Sequence, residues 1–256
     1  MLRRFSLRFI WLFHPEIYTR DVANNLSFEE ISRKLRGKAV WTKVAKHDCP
    51  IYSKVYSDQV VQIGGYTGNL AKRILDSHSE ISVMRVYEPY PIFFSSSQKL
   101  LCDYLQTDLV TVFNEAVYKT EGIEKLVSAG DWSTLKQTGR NIDSEGFELS
   151  EMEIQTVSVK TVLDRLDRNT DFTLLMNCEG SEYVIIDEIL KGDYLPATLI
   201  SQMHTIGENP IKMLYETRSK LAEKFTPIVC CDWAWDIWVR NDLSPILAEE
   251  SERERD

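Results

Sequence analysis

The feature that most constrains the fold is a change of periodicity near Val55. Beyond it, short apolar runs alternate with longer stretches of helical spacing, the pattern of successive βαβ units on a parallel sheet. QVVQIG reads as a strand, followed by a glycine loop and a helix near Asn69 to His78. SVMRVYEP is a second strand, PIFFSSSQKLLCDYL a helix with Pro91 in its first turn, and LVTVFNEAV a third strand. The pattern continues with a strand near Thr156 to Val159, a helix through Leu163, the strand FTLLMN and a helix through Ile185 to Leu190. After these come the strand ATLISQMH, a helix from about Pro210 to Glu223, and a closing pair, TPIVCCDWAW and DIWVR.

Between Tyr118 and Met152 the apolar periodicity lapses, and Gly122, Gly130, Gly139 and Gly146 punctuate a polar segment containing Trp132. A segment of that length inside an α/β domain is expected to be a lid, a binding insertion or a small subdomain. The chain has 256 residues, 43% of them hydrophobic, enough to bury one full core. The expected organisation is a basic helical extension at 1–50, a ligand-binding domain at 51–241 with an insertion at 119–152, and an acidic tail at 242–256. Within the extension, SFEEISRKLR at 27–36 reads as an amphipathic helix opened by a capping box of Ser27 and Glu30.

Charge divides the chain in the same place. Residues 1–46 hold ten Lys and Arg against four acids, a net of +6, so in a chain of net −9 the remainder carries −15. An acidic body argues against a nucleic-acid duplex as partner, because phosphate neutralisation supplies most of that affinity. The opening MLRRFSLRFIWLFHP has the basic start of a signal peptide, but Arg8 interrupts its apolar run and no small-residue cleavage site follows. The run is also shorter than the roughly 20 apolar residues of a membrane span. Two readings remain for it: a helix packed on the domain, or an amphipathic segment in weak contact with a membrane surface. Five cysteines without C-x-x-C spacing suggest neither a zinc site nor a disulfide framework, and point to a reducing cytoplasm.

The loop VQIGGYTGN, residues 61–69, joins an apolar strand to a helix through Gly64, Gly65 and Gly68, with Asn69 opening the helix. Glycines there let the backbone approach a ligand, and the helix N-terminus offers free N–H groups to it. Ile63 stands where a dinucleotide fingerprint would have its first glycine. Glu88, 20 residues after Gly68, ends the second strand, where a carboxylate can accept both hydrogen bonds of a ribose diol. Loop and acid together favour a ribose-bearing cofactor, nicotinamide or adenosyl.

VQIGGYTGN, VYEPYP, FNEAVYKTEG and LLMNCEGSEYVIIDEIL, in this order and at these separations, resemble the FkbM-type family of S-adenosylmethionine-dependent methyltransferases. ISQMHTIGENP and CCDWAWDIW are similar to closing segments of one of its subgroups, so the resemblance covers about residues 55–241. It implies a Rossmann-like, seven-stranded class I methyltransferase sheet, mostly parallel with an antiparallel last strand and helices on both faces. By resemblance, Gly64, Gly65 and Gly68 line the methionine part of the cofactor, Glu88 holds the ribose hydroxyls, and Asn114, Glu115 and Ala116 lie near the adenine. Gln62 and Asn177 stand where relatives commonly carry acids. An amide oxygen still accepts from the cofactor's ammonium, without the charge-assisted part of the bond, and the loss of two carboxylates argues against a metal at this site.

For a hydroxyl acceptor, Glu179 and His204 are the candidate catalytic residues, since they end consecutive strands and an imidazole titrating near neutrality suits a general base. A lone His in an apolar strand is equally read as a hydrogen-bonded core residue. Trp233, Trp235 and Trp238 read as core, or as a sugar-stacking platform. Glu182 and Tyr183 sit one turn into the next helix. The family resemblance implies O-methylation of a small molecule or glycan; the sequence leaves an oligomer open. The alternatives are a cofactor-binding but non-catalytic protein, suggested by Gln62 and Asn177, and an NAD-dependent sugar-modifying enzyme. No Y-x-x-x-K dyad supports the latter.

Overall fold

The computed structural model describes residues 57–129, 132–135, 149–204, 210–230 and 235–243. The basic extension, the predicted helix at 27–36, Trp233 and most of the acidic tail lie outside the described residues, as does the side chain of Trp132. Eleven strands, β1 (Gln59–Ile63), β2 (Val83–Tyr87), β3 (Val110–Phe113), β4 (Ala116–Tyr118), β5 (Gly122–Ala129), β6 (Trp132–Leu135), β7 (Leu149–Ser158), β8 (Phe172–Met176), β9 (Thr198–Gln202), β10 (Phe225–Cys230) and β11 (Trp235–Arg240), form two sheets. The helices are α1 (Asn69–Ser77), α2 (Pro91–Leu100), α3 (Cys102–Leu105), α4 (Val159–Asp164), α5 (Glu182–Lys191) and α6 (Pro210–Leu221).

The larger sheet has the order β10-β11-β9-β8-β1-β2-β3. Its strands are parallel except β11, which runs antiparallel to both neighbours, so the seven-stranded Rossmann-like sheet expected from the sequence is present. β1 and β8 pair at the centre, and every residue of each is buried, which is why both read as unbroken apolar runs rather than alternating ones. The pleat sends successive side chains to opposite faces. Val60 joins Ala71, Ile74 and Leu75 of α1 on one side, while Val61 and Ile63 join Ile185, Ile186 and Ile189 of α5 on the other. Trp235 packs in the first of these cores and Trp238 in the second, both nearly inaccessible, so these two indoles are core residues.

The segment after β3 departs from the sequence reading. LVTVFNEAV is two strands: β3 ends at Phe113, and β4 belongs to a second, four-stranded sheet of order β4-β7-β5-β6. The break is made by Asn114, whose amide donates to the carbonyls of Glu88 and Pro89, both at 2.9 Å. The stretch expected to be a lid, a binding insertion or a small subdomain supplies β5, β6 and the start of β7. Its periodicity is masked because one face is open: Ile123 is 68% exposed and Lys125 pairs with Glu151 across the strands. The strand expected near Thr156 begins at Leu149 and ends at Ser158, whose hydroxyl caps α4 by accepting the Thr161 N–H at 3.1 Å. A small core of Ala116, Tyr118, Leu126, Leu135 and Ile154 holds the second sheet together and packs on Tyr90 and Val184. Among the described residues no helix is long and apolar enough to cross a membrane.

Candidate functional site

The strand order reverses at the centre of the large sheet. From β1 the chain proceeds outward through β2 and β3, whereas β8 and β9 build the other half. The loops after β1 and β8 therefore part at the carboxyl ends of their strands, the crevice where open α/β sheets bind ligands. A cavity of about 230 Å³ lies there, walled by Ile63 and Gly64, by Glu88 at the end of β2, by Ala116 at the start of β4, and by Asn177 and Glu179 after β8. The second sheet closes one side with Leu126, Ser133, Thr134 and Leu135.

Gly64 lets the two loops meet. Its φ is +85°, and a Cβ would stand 1.9 Å from the carbonyl oxygen of Asn177, so no other residue fits. Of the three glycines only Gly64 lines the cavity. Gly65 packs against Val86, which a Cβ would meet at 2.5 Å, and Gly68 against Ser97; both serve the seating of the loop. Asn69 is exposed and donates to Thr67 at 2.7 Å, away from the cavity walls.

Glu88 is 4% exposed, and both of its carboxyl oxygens accept backbone N–H groups, from Tyr66 at 2.7 Å and Tyr90 at 2.9 Å. Burial pushes its pKa up to about 7 against the pull of those donors. Tyr66 and Tyr90 each pack on Phe93, with ring centroids 4.4 and 5.0 Å apart, and Tyr66 and Phe93 form an aromatic rim to the cavity. Glu115 and Ala116 line the wall beyond, Glu115 held by Arg165 at 2.6 Å. The guanidinium of Arg165 in turn lies 4.3 Å from the Phe113 ring centroid. Asn114 is not a wall residue, because its amide is occupied by the carbonyls that end β2. Gln62 is also off the wall: it is 2% exposed, and its amide donates to the Gly64 carbonyl at 3.1 Å while its oxygen is buried without a partner. Asn177 does face the cavity, and its side-chain oxygen is buried without a partner.

The loop after β8 carries the densest chemistry. Glu179 has φ +53°, an uncommon conformation for a residue with a side chain, and lines the cavity. His204, beyond the end of β9, is not a wall residue; its Nε2 lies 3.3 Å behind the Glu179 carboxylate, and its Nδ1 lies 2.7 Å from Oε1 of Glu182. Glu182 is fully buried at the first position of α5, where it also accepts the N–H groups of Cys178 at 3.0 Å and Gly180 at 2.8 Å. Burial opposes its ionisation, but His204 and these donors hold its pKa below the usual carboxylate range. Among the described residues no group of three or more His, Cys, Asp or Glu is arranged to hold a metal.

In the sequence Glu182 reads only as a residue one turn into the next helix, although its spacing of three from Glu179 is the one signal that a turn at Gly180 could fold it back. Arg165 and Thr134 gave no signal, since both act from elements far away in the chain.

Crevice, strand-end acid and loop together define a doubly wound α/β domain with a site for a nucleotide-type ligand. No family model matches the sequence, and no curated protein matches it. Solved structures similar to it in chain path include methyltransferases. The methyltransferase FkbM from Methylobacillus flagellatus KT is 15% identical with a TM-score of 0.46; the match covers 72% of this chain but 43% of that one, so this chain spans less than half of that protein. The SAH-bound methyltransferase of Podospora anserina is 12% identical over 93% of this chain and 88% of its own, with a TM-score of 0.45. A methyltransferase from Geobacter sulfurreducens is 13% identical over 79% and 87%, with a TM-score of 0.42.

Proposed function

We propose that the chain is an S-adenosylmethionine-dependent O-methyltransferase of the FkbM type, acting on a hydroxyl of a sugar, glycan, glycolipid or glycosylated metabolite. The observation that carries the cofactor is Glu88, a buried carboxylate in the wall of the switch-point cavity, fixed by two backbone donors with lone pairs left for a ribose diol. The residues fit the rest of the group. The Asn177 side-chain oxygen is an orphaned acceptor on the wall, placed to take an ammonium donor. The aromatic rim of Tyr66 and Phe93 and the apolar surface of Ala116 suit a planar base.

Bound there, S-adenosylmethionine would supply an electrophilic methyl group on a sulfonium centre. The chain's own task is to align an acceptor with that methyl, exclude water, and take a hydroxyl proton. Glu179 is a carboxylate on the wall after β8, with His204 behind it. The wall formed by Ser133, Thr134 and Leu135 of β6 belongs to the acceptor side in this reading. A glycolipid acceptor would also give the basic arm of residues 1–46 a purpose, contact with anionic lipid. Deleting residues 1–20 should then abolish binding to anionic vesicles, and undiminished binding would remove that role. The glycan assignment rests on family resemblance. Methyl transfer from labelled S-adenosylmethionine to a panel of glycans and glycolipids tests it, and tight S-adenosylhomocysteine binding with no turnover on any acceptor would favour a non-catalytic cofactor-binding protein.

A further inference from the structure

Glu182, a fully buried carboxylate that does not line the cavity, makes its closest contact to a ring nitrogen of His204. An ionised carboxylate can only accept hydrogen bonds, and the N–H groups of Cys178 and Gly180 already treat this one as an acceptor. The hydrogen between Glu182 and His204 therefore sits on Nδ1. The other nitrogen, Nε2, faces Glu179 at 3.3 Å, and Glu179 is the member of the trio that meets the cavity. The ring's setting is fixed from a further side, because the Tyr183 hydroxyl donates to the His204 carbonyl at 2.7 Å. Among the described residues the Cys178 thiol is a further titratable neighbour; burial pushes it well above its ordinary value and it stays neutral.

From this geometry we infer that Glu182 is a positioning residue, which fixes His204 with a proton on Nδ1 and so leaves Nε2 as the nitrogen that exchanges a proton with Glu179. The inference rests on the methyltransferase reading above and reorders its roles. Glu179 takes the proton of the acceptor hydroxyl on its carboxylate, the electron pair of the broken O–H bond stays on the acceptor oxygen, and the neutral carboxyl rotates to bring its hydrogen to the His204 side, where Oε2 is buried. The proton then passes to the lone pair on Nε2, restoring the Glu179 carboxylate and leaving an imidazolium between two carboxylates. The order of parts is that of a buried acid orienting a histidine, here one group further from the acceptor.

The test is the tautomer of the neutral His204 ring, read from nitrogen–proton correlation spectra of the full chain, with the other three histidines separated by a His204→Gln variant. The expected wild-type form carries hydrogen on Nδ1; hydrogen on Nε2 overturns the proposal. In Glu182→Gln the amide oxygen can still accept the Nδ1 hydrogen, so the wild-type ring is the one whose tautomer decides. If Glu182→Gln does not fold, the wild-type spectrum still decides. With an acceptor in hand, Glu182→Gln should lower kcat about 100-fold while KM for S-adenosylmethionine stays within about twofold; unchanged kcat counts against the positioning role. A wild-type ring protonated on Nδ1 in a protein that does not bind S-adenosylhomocysteine supports the ring assignment and overturns the cofactor reading separately.

Discussion

Thr134 of β6 donates its hydroxyl to the backbone carbonyl of Glu179 at 2.7 Å, joining the second sheet to the loop that carries an acid of the cavity wall. Thr134 is 3% exposed, so water does not replace the bond if it is lost. Thr134→Val, which keeps the shape and removes the donor, should cost about 1–3 kcal/mol in urea unfolding and lower turnover more than cofactor affinity, because it loosens the loop at Glu179.

Glu179 itself offers a clean separation of chemistry from folding. Its left-handed backbone costs a residue with a Cβ roughly 1–2 kcal/mol, which glycine does not incur. Glu179→Gly should therefore fold with stability within about 1 kcal/mol of wild type and bind S-adenosylhomocysteine, yet lose turnover by about 100-fold or more. Retained turnover would show that the acceptor's proton leaves by another route.

Glu88 makes both stability and ligand affinity depend on pH. Its carboxyl titrates near 7 in the native protein against 4.5 as the ordinary value, so between those limits the native state holds a proton that the unfolded chain has released. Its contribution to stability thus falls as pH rises from about 4.5 to 7 and levels off above, by about 3 kcal/mol at most. Ribose hydroxyls donate to the ionised form, so S-adenosylhomocysteine affinity should rise with pH up to about 7 and then plateau. Glu88→Gln should flatten both profiles, as thermal unfolding and calorimetry across pH 5–9 would show.

A buried ion pair ties α6 to the outer half of the large sheet. Arg218 of α6 grips the fully buried Asp236 of β11 through Nε at 2.8 Å and Nη2 at 2.7 Å. Removing one partner leaves an uncompensated buried charge. Asp236→Ala should lower unfolding free energy by about 3–5 kcal/mol, measured by denaturant titration, whereas Lys72→Ala, at an exposed pair with Asp76, should leave it nearly unchanged.

The large sheet was legible in the sequence because its central strands are buried on both faces, and an apolar run such as FTLLMN has few other uses. The antiparallel β11 followed from resemblance, not periodicity. The second sheet was hidden for the opposite reason: with Ile123 outward and Lys125 facing Glu151, β5 and β7 do not alternate cleanly. At the site, Glu88 could be placed because its position follows from one strand end and one loop. Glu182 could not, since its meeting with His204 depends on Gly180, at φ +115°, turning the chain so that the first residue of α5 points back beneath the loop.

The most direct measurement is isothermal titration of the intact protein with S-adenosylhomocysteine and, separately, with NAD, in wild type and Glu88→Ala. The account predicts saturable binding of S-adenosylhomocysteine, weakened roughly 10- to 100-fold in Glu88→Ala by loss of hydrogen bonds to a charged group, and no binding of NAD. Binding of NAD alone, or S-adenosylhomocysteine binding indifferent to Glu88, would contradict it.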